Sequence, residues 1–124
     1  MNIPAPDEHP TSLEELRGAL QRFALDRDWD QFHSPKNLAI ALSVEAAELL
    51  EHFQWTPESA SAALSPDLHA KVREEVADVL LYLIRLADKL NIDLLAAAID
   101  KIQINATKYP VDKARGSSKK YTEF

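Results

Sequence analysis

The fold of this chain follows from the stretch at residues 65–90, SPDLHAKVREEVADVLLYLIRLADKL. It opens with Ser65 and Pro66, a helix-capping residue followed by proline at the first helical position. Four apolar residues then recur at helical spacing and form one face: Leu68, Val72, Val79 and Leu83. Glu75 falls in the middle of that face, and Asp78 lies on its edge. The stretch therefore predicts a long helix, reaching Leu90, that carries two carboxylates on its core-facing side.

The same pattern occurs 30 residues earlier in the chain. A predicted helix begins at Ser34 and Pro35 and can run to about Trp55. Its apolar face is formed by Leu38, Leu42, Leu49 and Phe53. Glu45 lies in the middle of this face and Glu48 on its edge, and the constant offset indicates a duplicated helix or two helices meeting the same demand. If the two faces pack antiparallel, the four carboxylates meet at one point, around a local pseudo-twofold axis.

Cap and stop signals predict the remaining elements. These are a helix from the capping boxes at Thr11 and Ser12 to near Arg27, a connection at 28–33, a short Ala/Ser-rich helical piece after Pro57, and a helix from Leu94 to about Tyr109. No segment shows the alternation typical of a strand, so we expect an all-α bundle of four main helices. We expect one domain over residues 1–124, with tails at 1–10 and about 111–124, the second ordering only on a partner or ligand.

The composition and the distribution of charge exclude several classes of site and partner. The 124 residues contain no cysteine, which excludes disulfides, thiolate metal sites and Cys nucleophiles and suits a reducing cytoplasm. No stretch is typical of a signal peptide or a membrane span. Residues 1–100 hold 8 basic and 18 acidic groups, whereas residues 101–124 hold 6 and 2. This balance disfavours a nucleic acid polymer and favours a small phosphorylated ligand near the basic segment, unless that segment is merely solvated.

The acidic pairs themselves predict a metal site. An isolated buried carboxylate costs several kcal/mol, and nothing basic lies at the centre of either apolar face. A hard divalent cation solves this, and Mg²⁺, with Mn²⁺ possible, is preferred to zinc in the absence of Cys or an obvious His pair. A diiron site would need Glu-x-x-His pairs. Glu48 and His52 are four apart, and Tyr82 occupies the matching position, so iron is disfavoured.

Several motifs together resemble one known family. Glu45-Ala-Ala-Glu48 and Glu75-Val-Ala-Asp78 resemble the signature of the MazG-like all-α nucleotide pyrophosphatases. Further stretches resemble its dCTP pyrophosphatase branch: Arg27-Asp28-Trp29, Phe32-His33-x-Pro35-x-Asn37-Leu38, Phe53-Gln54-Trp55, Lys101 to Asn105, Lys108-Tyr109-Pro110, and Arg115 to Thr122. The resemblance covers roughly residues 12–123.

The resemblance implies hydrolysis of a nucleoside triphosphate between the α and β phosphates, giving a monophosphate and pyrophosphate. It implies that the metal ligands are Glu45, Glu48, Glu75 and Asp78, that the base and sugar pocket is formed by Trp29, Trp55 and Tyr82, and that the phosphates are faced by Lys101, Asn105 and Lys108. His33 is either a further pocket residue or a hydrogen-bonded structural one, and the aromatic residues could instead pack in a core or interface. Glu48, on the edge of its face, is the candidate general base.

The leading expectation is therefore a cytoplasmic, Mg²⁺-dependent pyrophosphatase that sanitises the deoxynucleotide pool, with dCTP or a modified dCTP as substrate. The family resemblance also implies a homo-tetramer built as a dimer of dimers. One alternative is a helical module that binds nucleotide or metal without turnover. Another is a structural oligomer whose carboxylates are satisfied by Arg across an interface.

Overall fold

The computed structural model describes residues 9–124, and these residues form helices and connecting segments without a strand. The five α-helices are α1 (Leu13–Asp26), α2 (Pro35–Glu51), α3 (Pro66–Lys89), α4 (Leu94–Lys108) and α5 (Val111–Ala114). Three single-turn 3₁₀ helices lie at Asp30–Phe32, Glu58–Ala60 and Tyr121–Glu123. The expected all-α fold is confirmed, and no helix in the described part of the chain is long and apolar enough to cross a membrane.

The four long helices begin where their capping residues predicted. In each, a side-chain oxygen accepts a hydrogen bond from a backbone N–H three residues later, which satisfies one of the unpaired donors of the first turn. The pairs are Ser12 with Glu15, Ser34 with Asn37, Ser65 with Leu68, and Asp93 with Ala96. The first turn of α1 is closed further by the Glu15 carboxylate, which accepts from the Thr11 backbone N–H at 2.6 Å.

The second helix ends earlier than predicted. It stops at Glu51 instead of about Trp55, because the backbone N–H groups of His52 and Phe53 donate to carbonyls three residues back, those of Leu49 and Leu50. This tighter spacing ends the α-helical pattern and leads into a turn. Trp55 therefore lies beyond the end of the helix and is 88% exposed.

The described residues up to Asn91 form one compact unit, in which α3 packs against both α1 and α2. Its most buried apolar residues are Ala24, Leu38, Ile84 and Ala87. His33, just before α2, contacts Arg85 late in α3, whereas Glu45 in the middle of α2 lies beside Glu75. Later residues of one helix thus meet earlier residues of the other, so α2 and α3 run antiparallel, which is the condition under which the repeat brings the carboxylates together.

Residues 92–124 form a second compact unit, made of α4, α5 and the segment after them. The segment after Pro110, expected to order only on a partner or ligand, contains α5 and a 3₁₀ turn. The rings of Tyr121 and Phe124 pack edge-on against Tyr109 at centroid distances of 5.9 and 5.8 Å. Aromatic packing of this kind holds the segment against the end of α4. Of the other predicted tail, residues 1–8 lie outside the described part, and the single-domain assignment stays a prediction.

Candidate active site

The acidic pairs of α2 and α3 come together in the structure. Glu45, Glu48 and Glu75 each contribute a carboxylate oxygen to a group whose atoms all lie within 4.8 Å of one another. Glu45 and Glu48 reach it together because residues three apart share a helix face. Asp78 is not one of the three, but its charge acts on Glu45 and its side chain lines the adjoining cavity. We call these four residues the acidic cluster.

The acidic cluster carries uncompensated negative charge. The Oε2 atoms of Glu45 and Glu75 are buried and have no hydrogen-bond partner among residues 9–124. None of the ion pairs within that range involves a member of the cluster. Burial, together with the neighbouring carboxylates of Glu75 and Glu48, raises the pKa of Glu45 from 4.5 to about 7.

These observations fit a divalent cation. Buried carboxylate oxygens without a donor are the ligands that a hard cation such as Mg²⁺ prefers, and a cation supplies the charge that the protein leaves out. The donor set contains oxygen only, with neither a sulfur nor a histidine nitrogen in the group. Three of the four predicted ligands, Glu45, Glu48 and Glu75, thus come together with oxygen donors of the expected kind. The metal-binding role of all four residues stays a prediction.

Metal removal should have a pH-dependent effect on stability. Glu45 binds its proton more tightly in the folded chain than in the unfolded chain. The stability that this proton contributes to the folded chain is therefore fully present below pH 4.5 and is lost as pH rises to about 7. With EDTA present, we expect the Tm of the wild type to decrease relative to that of Glu45→Gln as the pH is raised from 5 to 7.5. Saturating Mg²⁺ should raise the wild-type Tm most at the upper end of this range, because cation and proton compete for the same oxygens.

Thermal melts at several pH values, with EDTA or Mg²⁺, measure both effects. Glu51→Gln is the matched control, because Glu51 is an exposed residue of the same helix. It should show neither the pH-dependent difference nor an altered response to Mg²⁺. A wild-type Tm indifferent to Mg²⁺ and EDTA would contradict the metal site.

A cavity of about 250 Å³ adjoins the acidic cluster through Asp78. It lies among α1, the connection before α2, and α3, and three residues expected in the base and sugar pocket line it: Trp29, His33 and Tyr82. Apolar side chains of α1, Leu20 and Phe23, complete its wall. The Trp29 ring is fixed by an edge-on contact with Phe23 at 5.8 Å. A flat ring system could therefore lie against aromatic faces within reach of the carboxylates.

Sequence reasoning missed Arg85, a buried residue that also lines this cavity. Its guanidinium donates to Asp30 Oδ1 at 3.0 Å and to Asp88 Oδ2 at 3.3 Å. Asp88 also accepts from Arg17 of α1 at 2.9 Å, and Lys89 pairs with Asp30. The sequence does contain a signal for Arg85. This residue interrupts an apolar run, three residues after Tyr82 and three before Asp88.

Four other predicted site residues are not among those that line this cavity. Trp55 is outside the cavity lining, in the exposed turn after α2. Lys101, Asn105 and Lys108 belong to the second unit, where their spacing of four and three places them on one face of α4. The Lys108 ammonium lies 4.9 Å from the centre of the Tyr121 ring. The binding roles of these four residues stay predictions.

Comparison with known proteins identifies the family of this chain. The model of the MazG-like family matches residues 40–124, which is more than half of the chain. The chain belongs to the MazG-like family. Human dCTP pyrophosphatase 1 is 46% identical to it over 115 residues, which is 91% of this chain and 68% of that protein. Bovine dCTP pyrophosphatase 1 is 45% identical over the same shares.

A solved structure supports the same relationship. The crystal structure of a pyrophosphatase from Archaeoglobus fulgidus matches with a TM-score of 0.73 and 40% sequence identity, over 86% of this chain and 99% of that one. The predicted MazG-like resemblance is thus confirmed. Membership of this family implies a divalent metal cofactor, and the acidic cluster supplies carboxylates suited to hold it.

Proposed function

We propose that this MazG-like protein is a Mg²⁺-dependent pyrophosphohydrolase that cleaves dCTP or a modified dCTP to the monophosphate and pyrophosphate. One observation carries the proposal: Asp78 belongs to the acidic cluster and also lines an aromatic cavity. A ligand that places a flat base in the cavity would bring its phosphates toward the carboxylates. The names of the human and bovine relatives support a dCTP-like substrate.

In this proposal the acidic cluster holds Mg²⁺, with Mn²⁺ as a possible substitute. The cation would neutralise phosphate charge and increase the acidity of a nearby water molecule. Glu48, the general base, accepts the proton of the attacking water on a carboxylate oxygen. Trp29 and Tyr82 stack on the base and orient it. Positioning of this kind supplies much of the rate enhancement in phosphoryl transfer, where the protein makes few covalent bonds itself.

The remaining predicted contacts complete the substrate site. We assign the base and sugar to His33 and Trp55 in addition to the two stacking rings. The phosphates are assigned to Lys101, Asn105 and Lys108, since ammonium and amide donors on one helix face suit a polyanion. The surplus of basic residues in 101–124 supports that assignment.

The direct test is the identity of the products. The purified protein should release pyrophosphate and dCMP from dCTP with Mg²⁺, and neither with EDTA. A panel of all four dNTPs and 5-substituted dCTPs, analysed for pyrophosphate and orthophosphate separately, makes the measurement. Release of orthophosphate instead would contradict the proposal, and saturable nucleotide binding without any product would favour the non-catalytic binding module.

We also propose assembly into a homo-tetramer, a dimer of dimers. Both α2 and α3 expose apolar side chains at helical spacing: Ile40 and Val44 on α2, and Val76 and Leu80 on α3. Contiguous exposed apolar surface of this kind is typical of a protein interface. A second copy of the chain is the partner that the proposal assigns to it.

A further inference from the structure

Arg85 is the most unusual residue of the cavity wall. It is a charged side chain in a buried position, 4% exposed, and it lines the cavity together with Tyr82 and His33. A buried guanidinium persists only where acceptors surround it. Asp30, Asp88 and His33 provide those acceptors, so the orientation of the guanidinium is fixed before any ligand binds.

Arg85 and the acidic cluster are separated along α3. Asp78, Tyr82 and Arg85 all line the cavity, with spacings of four and three residues that place them on one helix face. Seven residues of α-helix span about 10 Å. If the phosphates lie at the carboxylates, as the proposed function requires, the base extends past Tyr82 toward Arg85.

This end of the cavity is rich in hydrogen-bond donors. Of the five guanidinium N–H groups, one on Nη1 has no acceptor within residues 9–124, because Asp88 takes a single bond there. His33 Nδ1 lies 3.3 Å from Arg85 Nε and accepts from it, which places the ring proton on Nε2 as a second donor. Burial and the Arg85 charge lower the pKa of His33, which keeps the ring neutral in this role.

We propose that Arg85 is a specificity-determining residue that donates, beside His33, to neighbouring acceptor atoms on the base. Cytosine presents two such atoms side by side, N3 and the carbonyl O2. In uracil and thymine the N3 atom carries a proton, so its N–H donor would face the N–H donors of Arg85 and His33. A site with unpaired buried donors rejects such a ligand strongly. The inference rests on the proposed function and names the atoms of the base that this site recognises.

A purely structural role for Arg85 is the competing explanation. Its bonds to Asp30 and Asp88 join the connection before α2 to α3, and loss of that link would disturb Trp29 and His33 as well. Arg17 offers a matched control, because it also bonds Asp88, at 2.9 Å, yet does not line the cavity. Arg17→Met should lower Tm without changing the preference among bases.

The test compares Arg85→Lys, Arg17→Met and wild type with dCTP, dUTP and 3-deaza-dCTP, in which N3 is replaced by C–H. Lysine keeps the positive charge for Asp30 and Asp88 but loses the planar fork. We expect the dCTP:dUTP ratio of kcat/KM to fall about 10- to 100-fold in Arg85→Lys, mainly through KM for dCTP. The kcat/KM of the wild type should fall by a similar factor when 3-deaza-dCTP replaces dCTP. The same replacement should lower the kcat/KM of Arg85→Lys only slightly.

Equilibrium binding of the same nucleotides with Mg²⁺, followed by tryptophan fluorescence, separates this inference from the proposed function. Binding that discriminates against 3-deaza-dCTP in wild type but not in Arg85→Lys supports it even if no pyrophosphate is released. If Arg85→Lys fails to fold, the wild-type comparison of dCTP with 3-deaza-dCTP decides. Equal binding of those two by wild type, or an unchanged dCTP:dUTP ratio in Arg85→Lys, would overturn it.

Discussion

Replacing Glu75 with Gln is expected to abolish pyrophosphate release while making the metal-free protein more stable. Glu75 Oε2 is buried without a hydrogen-bond partner in the described chain, beside Glu45 and Glu48. A neutral amide removes repulsion from the cluster and provides a donor to Glu45, so Tm in EDTA should rise. The same change removes a metal ligand, so kcat/KM with Mg²⁺ should fall by at least about 10³-fold.

The opposite signs of these effects make the prediction specific. Glu74→Gln, one residue earlier on the same helix, is the matched control, because Glu74 is exposed. It removes the same charge from α3 and should leave activity and Tm nearly unchanged. Steady-state kinetics and thermal melts with Mg²⁺ or EDTA measure both quantities. A Glu75→Gln protein that keeps more than a tenth of the activity would refute the assignment of Glu75 to the metal.

Replacing Leu38 with Ala is expected to have the largest effect on folding. Leu38 is 1% exposed and is the largest fully buried side chain in the described residues. It is one of only four buried apolar residues in the described part of the chain, so its side chain is a large share of the core. Deletion of a buried leucine side chain of this kind costs about 2 to 5 kcal/mol in the free energy of unfolding.

The same substitution at Leu50 provides the comparison. Leu50 lies on the same helix but is 63% exposed in the chain, so Leu50→Ala should cost less than about 1 kcal/mol. Urea unfolding of the two variants at several protein concentrations measures the difference. Similar costs at low concentration would contradict the position of the core. A cost for Leu50→Ala that grows with concentration would instead place Leu50 between copies of the chain.

The parts of the fold predicted correctly are those governed by local chemistry. Ser34 and Ser65 each precede a proline, and both helices begin there because the cap and the restricted proline backbone act within one turn. The acidic cluster was predictable for a related reason. Glu45 and Glu75 interrupt apolar faces, and a buried carboxylate requires a compensating partner wherever the helices pack.

The errors lie where the periodicity of the sequence carries no signal. The periodicity of α2 continues past Glu51, so the switch to hydrogen bonds that span three residues and the exposure of Trp55 leave no trace in the residue pattern. The segment after Pro110 is polar, and periodicity cannot reveal the contacts that Tyr121 and Phe124 make with Tyr109.

Arg85 shows a third kind of failure. A single arginine in an amphipathic helix usually extends its charge to water, and only the folded chain brings Asp30, 55 residues away in sequence, within 3.0 Å of it. Asp88, three residues along α3, was the local part of the pattern. The base-recognition role proposed for Arg85 thus depends on an acceptor that the helix itself does not contain.

The constant 30-residue offset between α2 and α3 makes the two halves of the acidic cluster equivalent. Equivalent residues of the two helices, Glu45 and Glu75, meet across an antiparallel contact. Two copies of one helix with a single acidic pair would therefore be sufficient to surround a cation.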